Sequence, residues 1–390
     1  MTLFEELTKD FIEIFDKGKE TRIFFAPGRI NLIGEHTDYN GGYVFPCALS
    51  FGTYAVARKR EDKKVKVYSK NFKDLGILTF TLEELKYEKG HDWANYPKGV
   101  MKVFKDHGYL LENGLEVLFF GNIPNGAGLS SSASIELVTS VLLKGLFNLD
   151  VDMISMVKMC QKAENQFIGV NCGIMDQFAI GMGKKEKAIL LDCTTLAYKY
   201  SDLVLKDASI IIANTNKRRG LADSKYNERR KECDRALFQL QKELEINALG
   251  ELTEEEFEKN KHLITNEIDR RRAKHAVYEN RRTLKAVDAL ERGDIKEFGK
   301  LMKASHKSLK EDYEVTGKEL DTLVKLAWEQ EGTIGSRMTG AGFGGCTVNI
   351  VNNQKVDEFI ENVGKKYKEI IGYGASFYIA SIGDGARELK

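Results

Sequence analysis

The sequence predicts an α+β protein of two domains, and three observations carry that expectation. Its 390 residues are more than a single hydrophobic core usually organises. Segments with the alternating or β-branched pattern of strands are interspersed with segments of helical periodicity in both halves. No long series of strand–helix–strand units occurs, as an extended parallel sheet would require.

Taken in order, strands are predicted at 22–26, 53–60, 64–70, 76–80 and 115–121, with Val65-Lys66-Val67-Tyr68 showing the alternation most clearly. Helices are predicted over about 96–107, 131–147 and 153–168; in the second, Ile135, Val138, Leu142 and Leu146 recur on one face. The second half opens on the strand-like Ala208-Ser209-Ile210-Ile211-Ile212-Ala213. Charged helices are expected over roughly 221–245, 267–291, 294–310 and 317–331, and strands at 345–351 and 375–381 flank a helix near 353–370. The domain boundary is placed near residue 200, after Asp192-Cys193-Thr194-Thr195, giving domains 1–200 and 201–390. With only four prolines in the chain, no linker marks it.

Charge gives no global pull toward a polyanion: 59 basic residues face 58 acidic ones, for a formal charge of +1. The basic runs Arg58-Lys59-Arg60, Lys217-Arg218-Arg219, Arg229-Arg230-Lys231 and Arg270-Arg271-Arg272 therefore read as solvated faces, and no nucleic-acid partner is expected. The first residues are amphipathic and acidic, unlike a signal peptide, and no apolar run approaches the roughly 18 residues that span a bilayer. The cysteines (Cys47, Cys160, Cys172, Cys193, Cys233 and Cys346) are scattered with no C-x-x-C pair, which argues against a disulfide framework and a structural zinc site. A cytoplasmic enzyme with no membrane partner is the expectation.

Chemistry concentrates in three glycine-rich segments, where a backbone without Cβ can turn its N–H groups toward an anion. The central one is Pro124-Asn125-Gly126-Ala127-Gly128-Leu129-Ser130-Ser131-Ser132-Ala133-Ser134, between a predicted strand and a predicted helix. A helix N-terminus fed by a glycine loop binds anions, serines favour such starts as N-caps, and their hydroxyls suit phosphate or magnesium. A plain glycine turn with a serine cap explains Gly-x-Gly alone, but not three consecutive serines at a strand-to-helix switch. The loop has no lysine and the chain no G-x-x-x-x-G-K-[ST], so it is not a Walker loop.

The C-terminal segment, Met338-Thr339-Gly340-Ala341-Gly342-Phe343-Gly344-Gly345, formally contains Gly-x-Gly-x-x-Gly. The β-branched Thr347, Val348, Ile350 and Val351 that follow read as a strand, which excludes a dinucleotide fold at this point. The N-terminal segment, Ala26 to Gly42, sets Arg29, Asn31, Glu35, His36 and Asp38 among glycines and aliphatics. Polar groups at that density need partners, and a pocket that receives hydroxyls supplies them. His36 and Asp38 lack a third local ligand, so no metal is assigned to them.

Gly28-Arg29-Ile30-Asn31-Leu32-Ile33-Gly34-Glu35-His36-Thr37-Asp38-Tyr39-Asn40-Gly41-Gly42 resembles the galactokinase signature. Gly128-Leu129-Ser130-Ser131-Ser132-Ala133 resembles the phosphate loop of the wider GHMP kinases, and Gly340-Ala341-Gly342-Phe343-Gly344-Gly345 resembles their third motif. With Cys172-Gly173-Ile174-Met175-Asp176-Gln177, these stretches follow the family's order and span nearly the whole chain. The resemblance implies an N-terminal domain like ribosomal protein S5 domain 2, a ferredoxin-like C-terminal domain, and an active site in the cleft between them. It implies transfer of the γ-phosphate of MgATP to the anomeric hydroxyl of galactose, by a chain expected to be a monomer.

Residue by residue, Asp176 matches the family's catalytic aspartate, as general base or as an orienting charge, and Arg29 its neighbour. Glu35, His36, Asp38, Gly173 and Tyr226 match sugar contacts. Ser132 and Glu164 match ligands of Mg2+, the loop matches the ATP phosphate site, and Trp93 and Tyr96 resemble part of the adenine pocket. Two alternatives stay open on residues alone: a related arabinose or N-acetylgalactosamine kinase, and a sensor that has lost catalysis. The intact Ser131-Ser132-Ala133-Ser134 and the presence of Asp176 favour the enzyme.

Overall fold

The structure, a computed structural model, describes residues 2–389 except Asn125, Gly126, Val204 and 218–221, with backbone alone at 222–224. Helix α1 (Leu3–Phe15) starts on a capping box between Thr2 and Glu5 and buries Leu7, Phe11 and Phe15 at helical spacing. Strands β1 (Arg22–Asn31), β2 (Tyr43–Val44), β3 (Pro46–Lys59), β4 (Lys64–Ser69) and β5 (Leu78–Thr81) follow. Then come α2 (Asn95–Asp106), β6 (Leu115–Gly121), α3 (Ser131–Phe147), α4 (Met153–Ala163) and α5 (Met175–Met182). Strands β7 (Lys187–Asp192), β8 (Tyr198–Asp202) and β9 (Ala208–Asn214) lead to α6 (Ala222–Leu240), α7 (Glu254–Asn260), α8 (Glu267–Glu291), α9 (Ile295–Glu311) and α10 (Gly317–Trp328). The chain ends through β10 (Thr333–Thr339), β11 (Cys346–Asn352), α11 (Val356–Ile371), β12 (Ser376–Ala380) and β13 (Arg387–Leu389).

Two main sheets result. The first has the order β13-β1-β3-β6-β4-β5, antiparallel except for the parallel β4–β6 pair. One face packs on α1 through Val56 and Leu118. The other carries the main core, where α3 lies among α2, α4 and α5 with most of its side chains buried. The second sheet, β10-β11-β9-β12, is antiparallel. Its alternation divides the two faces: Ile210, Ile212 and Val348 meet Phe298 and Met302 of α9, while Ile211 and Ala213 meet residues of α10 and α11. A small sheet, β2-β7-β8, completes the set.

Several expectations change in detail. The helix expected to 168 is α-helical only to Ala163 and widens into a π turn over Glu164–Ile168, a distortion that tends to occur at functional sites. The strand expected from 53 begins at Pro46. The boundary expected near 200 falls inside β8, and β13 returns the end of the chain to the first sheet beside β1. The arginine runs are not wholly solvated. Arg58, Arg229 and Arg272 are buried because each is paired with a glutamate: Arg58 with Glu116 on the adjacent strand, Arg229 with Glu232 one turn along α6, and Arg272 of α8 with the same Glu232. Arg218 and Arg219 lie outside the described residues.

Candidate active site

The three glycine-rich segments converge on one cavity of about 190 Å³. Strand β1 has a bulge between Pro27 and Arg29. There the Arg29 N–H donates to the Leu129 carbonyl at 3.2 Å, and Arg29 Nη1 donates to the Gly128 carbonyl at 2.8 Å. A Cβ on Gly28 would stand 2.9 Å from the Leu129 oxygen, and one on Gly340 2.9 Å from the Gly128 oxygen. Gly340 also holds a φ of +84°, which favours glycine. The third segment is bonded to the first: Thr339 Oγ1 donates to the Asn31 carbonyl at 3.0 Å, and Gly340 N–H to Glu35 Oε1 at 2.7 Å.

Asp176, in the first turn of α5, is the hub. Arg29 reaches it with two parallel bonds, Nε to Oδ1 at 2.9 Å and Nη2 to Oδ2 at 3.0 Å, the geometry that makes arginine–carboxylate pairs strong. Ser130 Oγ donates to the same Oδ2 at 2.5 Å. Ser130 is not the side-chain cap the sequence suggests. Its φ of +61° is left-handed, whereas a capping serine uses extended backbone, and its hydroxyl turns to Asp176 rather than to the helix. The positive end of α3 is thus left uncapped by a side chain, with Ser131 and Ser132 at the cavity wall.

The sugar-signature residues form the opposite wall, together with Tyr226 of α6. Gly173 is required there, since a Cβ would lie 2.0 Å from Asp38 Oδ2. His36 Nδ1 bonds the Tyr39 hydroxyl at 2.9 Å, and the ring lies 4.8 Å from Tyr313 and 5.6 Å from Tyr226. His36 Nε2 is buried with no partner among the described residues. A second cavity of about 230 Å³, lined by Trp93 and Tyr96, shares Ile123, Ser131 and Ser132 with the first.

Acidic groups crowd the site. Burial pushes Asp38 up to about 7, reinforced by the charge of Asp176 and opposed by the N–H groups of Tyr39 and Met175. Burial likewise raises Glu164 to about 7, with Asp176 adding to the shift and the Ser132 hydroxyl opposing it. Glu35 is raised by burial against the pull of Arg337 and Arg29. His36 is lowered to about 3 by burial and by His275, so its imidazole is neutral at pH 7. Such a cluster favours a cation. Among the described residues no group of three or more His, Cys, Asp or Glu side chains is placed to hold a metal. Ser132 and Glu164 nevertheless offer two hard oxygens, which suits a magnesium ion that completes its shell with water and phosphate.

Family models match in three blocks: the galactokinase galactose-binding signature over residues 9–59, the GHMP kinase N-terminal domain over 95–184, and the GHMP kinase C-terminal domain over 286–369. A galactokinase of Fusobacterium nucleatum is 67% identical over 389 residues, covering 100% of both chains. The chain belongs to the galactokinase family. A Bacillus subtilis galactokinase is 58% identical over 99% of each chain. The structure of Lactococcus lactis galactokinase complexed with galactose superposes with a TM-score of 0.98 at 53% identity, covering 100% of both. A mevalonate kinase at 19% identity and a TM-score of 0.64, over 94% of this chain, shares the two-domain GHMP fold.

Within this galactokinase-family site, most sequence-predicted residues come together. Arg29, Glu35, His36, Asp38, Gly173, Asp176, Tyr226, Glu164, Pro124, Gly128, Leu129, Ser130, Ser131 and Ser132 line the first cavity, and Trp93 and Tyr96 the second. Asn125 and Gly126 lie outside the described residues. Ala127, Ala133 and Ser134 are buried away from both cavities. Ser134 is the clearest correction to the expected ATP contacts: its hydroxyl donates to the Ala26 carbonyl at 2.8 Å and lies 2.9 Å from Thr53 Oγ1, so it ties α3 to the sheet. Sequence reasoning missed Gln177, whose Nε2 donates to Glu164 Oε2 at 2.7 Å and to Glu136 Oε2 at 3.1 Å. Its position beside Asp176 was the available signal.

Two outcomes follow from these placements. Ser134→Ala should lose about 1–2 kcal/mol in urea unfolding and leave the KM for ATP unchanged; a selective rise in that KM would restore the phosphate role. Asp38 ionises near its ordinary 3.8 in the unfolded chain but near 7 in the native one, so its contribution to stability falls as pH rises through that window. The melting temperature of Asp38→Asn, without sugar, should therefore gain on the parent between about pH 4 and pH 7. A gap that stays constant would contradict the assignment.

Proposed function

We propose that this chain catalyses transfer of the γ-phosphate of ATP to the anomeric hydroxyl of galactose, giving galactose 1-phosphate and ADP. The observation that carries the reading is the position of Asp176, held by Arg29 and Ser130 on the wall of a cavity that adjoins a second, aromatic-lined one at Ser131 and Ser132. One cavity accepts the sugar, the other the nucleotide base, and the phosphates cross at the start of α3.

Phosphoryl transfer asks mainly for alignment and charge neutralisation. Glu35, His36, Asp38, the Gly173 backbone and Tyr226 receive the sugar hydroxyls. Neutral His36 lines the sugar cavity with an Nε2 unpartnered among the described residues, and Trp93 lines the cavity assigned to the base. The N–H groups of the first turn of α3 hold phosphate oxygens. Ser132 and Glu164 would hold Mg2+, which supplies neutralising charge for the phosphates when bound. Asp176 accepts the proton of the attacking hydroxyl as the oxygen–phosphorus bond forms and the bond to the bridging oxygen of ADP breaks. Arg29 fixes the carboxylate and stabilises charge beside it. Free cysteines throughout and a nucleotide substrate support action in the cytoplasm.

ADP release coupled to a dye reaction should be fastest with galactose among galactose, arabinose and N-acetylgalactosamine. Asp176→Asn should lower kcat by about 10²–10⁴-fold while calorimetry still detects galactose binding. Near-normal turnover by that variant would remove Asp176 from the mechanism, and a preference for another sugar would remove galactose.

A further inference from the structure

Arg337 lies on β10, is completely buried, and does not line either cavity. Its guanidinium is nonetheless wired to the sugar signature. Nη1 donates to the Asn31 carbonyl at 3.0 Å and to Glu35 Oε1 at 3.4 Å, and Nε donates to Ser305 Oγ at 3.1 Å. Ser305 Oγ in turn donates a hydrogen bond to Glu279 Oε1 at 2.5 Å, which also accepts one from the Gly34 N–H at 3.1 Å. His275 Nε2 bonds the Glu35 carbonyl at 3.1 Å. Glu35 is therefore fixed at its backbone by α8 and at its carboxylate by β10 and by the Gly340 N–H.

We infer that Arg337 is a positioning residue that sets the rotamer and charge of Glu35, and through it the recognition of one particular sugar hydroxyl. This rests on the galactose reading above. The Arg337 and Gly340 contacts both fall on Oε1, the Asn31 side chain lies against the same carboxylate, and Glu35 still lines the cavity that a ligand would enter. Arginine suits the task because its planar fork spans the Asn31 carbonyl, the carboxylate and Ser305 at once, which a lysine cannot do. A buried carboxylate without that cation would be neutralised by a proton or would turn away. Either change converts an acceptor aimed at a hydroxyl into a group of different chemistry. A site built to bond a hydroxyl gains its selectivity from such fixed polar groups.

The test compares galactose with its monodeoxy derivatives, each lacking one hydroxyl, across parent, Glu35→Gln, Arg337→Met and Arg337→Lys. In the parent, one deoxy sugar should suffer a loss of kcat/KM that Glu35→Gln abolishes. Arg337→Met should abolish the same loss, with a rise of about tenfold or more in the KM for galactose and little change in that for ATP. Arg337→Lys, which keeps the buried charge, should fall between parent and Arg337→Met at that hydroxyl, and it carries the test if the methionine variant does not fold. A uniform fall in kcat/KM for galactose and every deoxy sugar, or an equal rise in the KM for ATP, would overturn the inference and leave Arg337 purely structural. If the parent phosphorylates none of these sugars, the galactose reading itself fails.

Discussion

The contact on which the site depends is the bidentate pair between Arg29 and Asp176, with Ser130 closing its third side. It joins a strand of the first sheet, the loop ahead of α3 and the first turn of α5, so a shift in any of them moves the Asp176 carboxylate. Arg29 reaches it because the bulge in β1 aims it at the loop and because Gly28 and Gly340 let two other backbone segments approach the Gly128 and Leu129 carbonyls. The glycines are thus less a phosphate cradle in themselves than the clearance that lets separate segments meet. The side chain of Arg29 is 4% exposed and that of Asp176 28%, so the cation anchors while the carboxylate stays open to the cavity.

Around that pair the protein crowds acidic groups whose ionisation burial opposes. Asp38, Glu164 and Glu35 are all raised by burial, and Asp176 raises the first two further. A folded chain gains nothing from crowding carboxylates in this way. The arrangement makes sense as a site completed by its ligands: hydroxyl donors for Glu35 and Asp38, and a hard cation near Glu164. The same reasoning separates His36 from the acids, since burial holds it neutral and able either to donate or to accept.

Much of this was legible in the sequence, for identifiable reasons. Helices 131–147 and 267–291 match their observed bounds because apolar spacing and polar boundaries agree at both ends. Strand β10 was missed because Gly335, Ser336 and Arg337 do not look like a strand interior, and they are tolerated only because the arginine finds its partners on other elements. Strands β7 and β8 form a small accessory sheet whose short pattern carries little periodic signal. Helix α5, with two glycines near its end, gives little more. Within the loop, four serines share one composition but not one role. Ser130 points to Asp176, Ser131 and Ser132 face the cavities, and Ser134, almost a turn further on, faces the sheet. Composition cannot assign those directions; the left-handed backbone at Ser130 and the helical rotation after it do.

The central claim is that Asp176 faces one particular hydroxyl of galactose, the one at the anomeric carbon, while ATP lies across the start of α3. Phosphorus NMR of the product formed from MgATP and carbon-13-labelled galactose tests it most directly. The account predicts coupling between the new phosphorus signal and the anomeric carbon, with ADP formed in equal amount. Phosphate on any other carbon, or release of inorganic phosphate without a sugar ester, would contradict it.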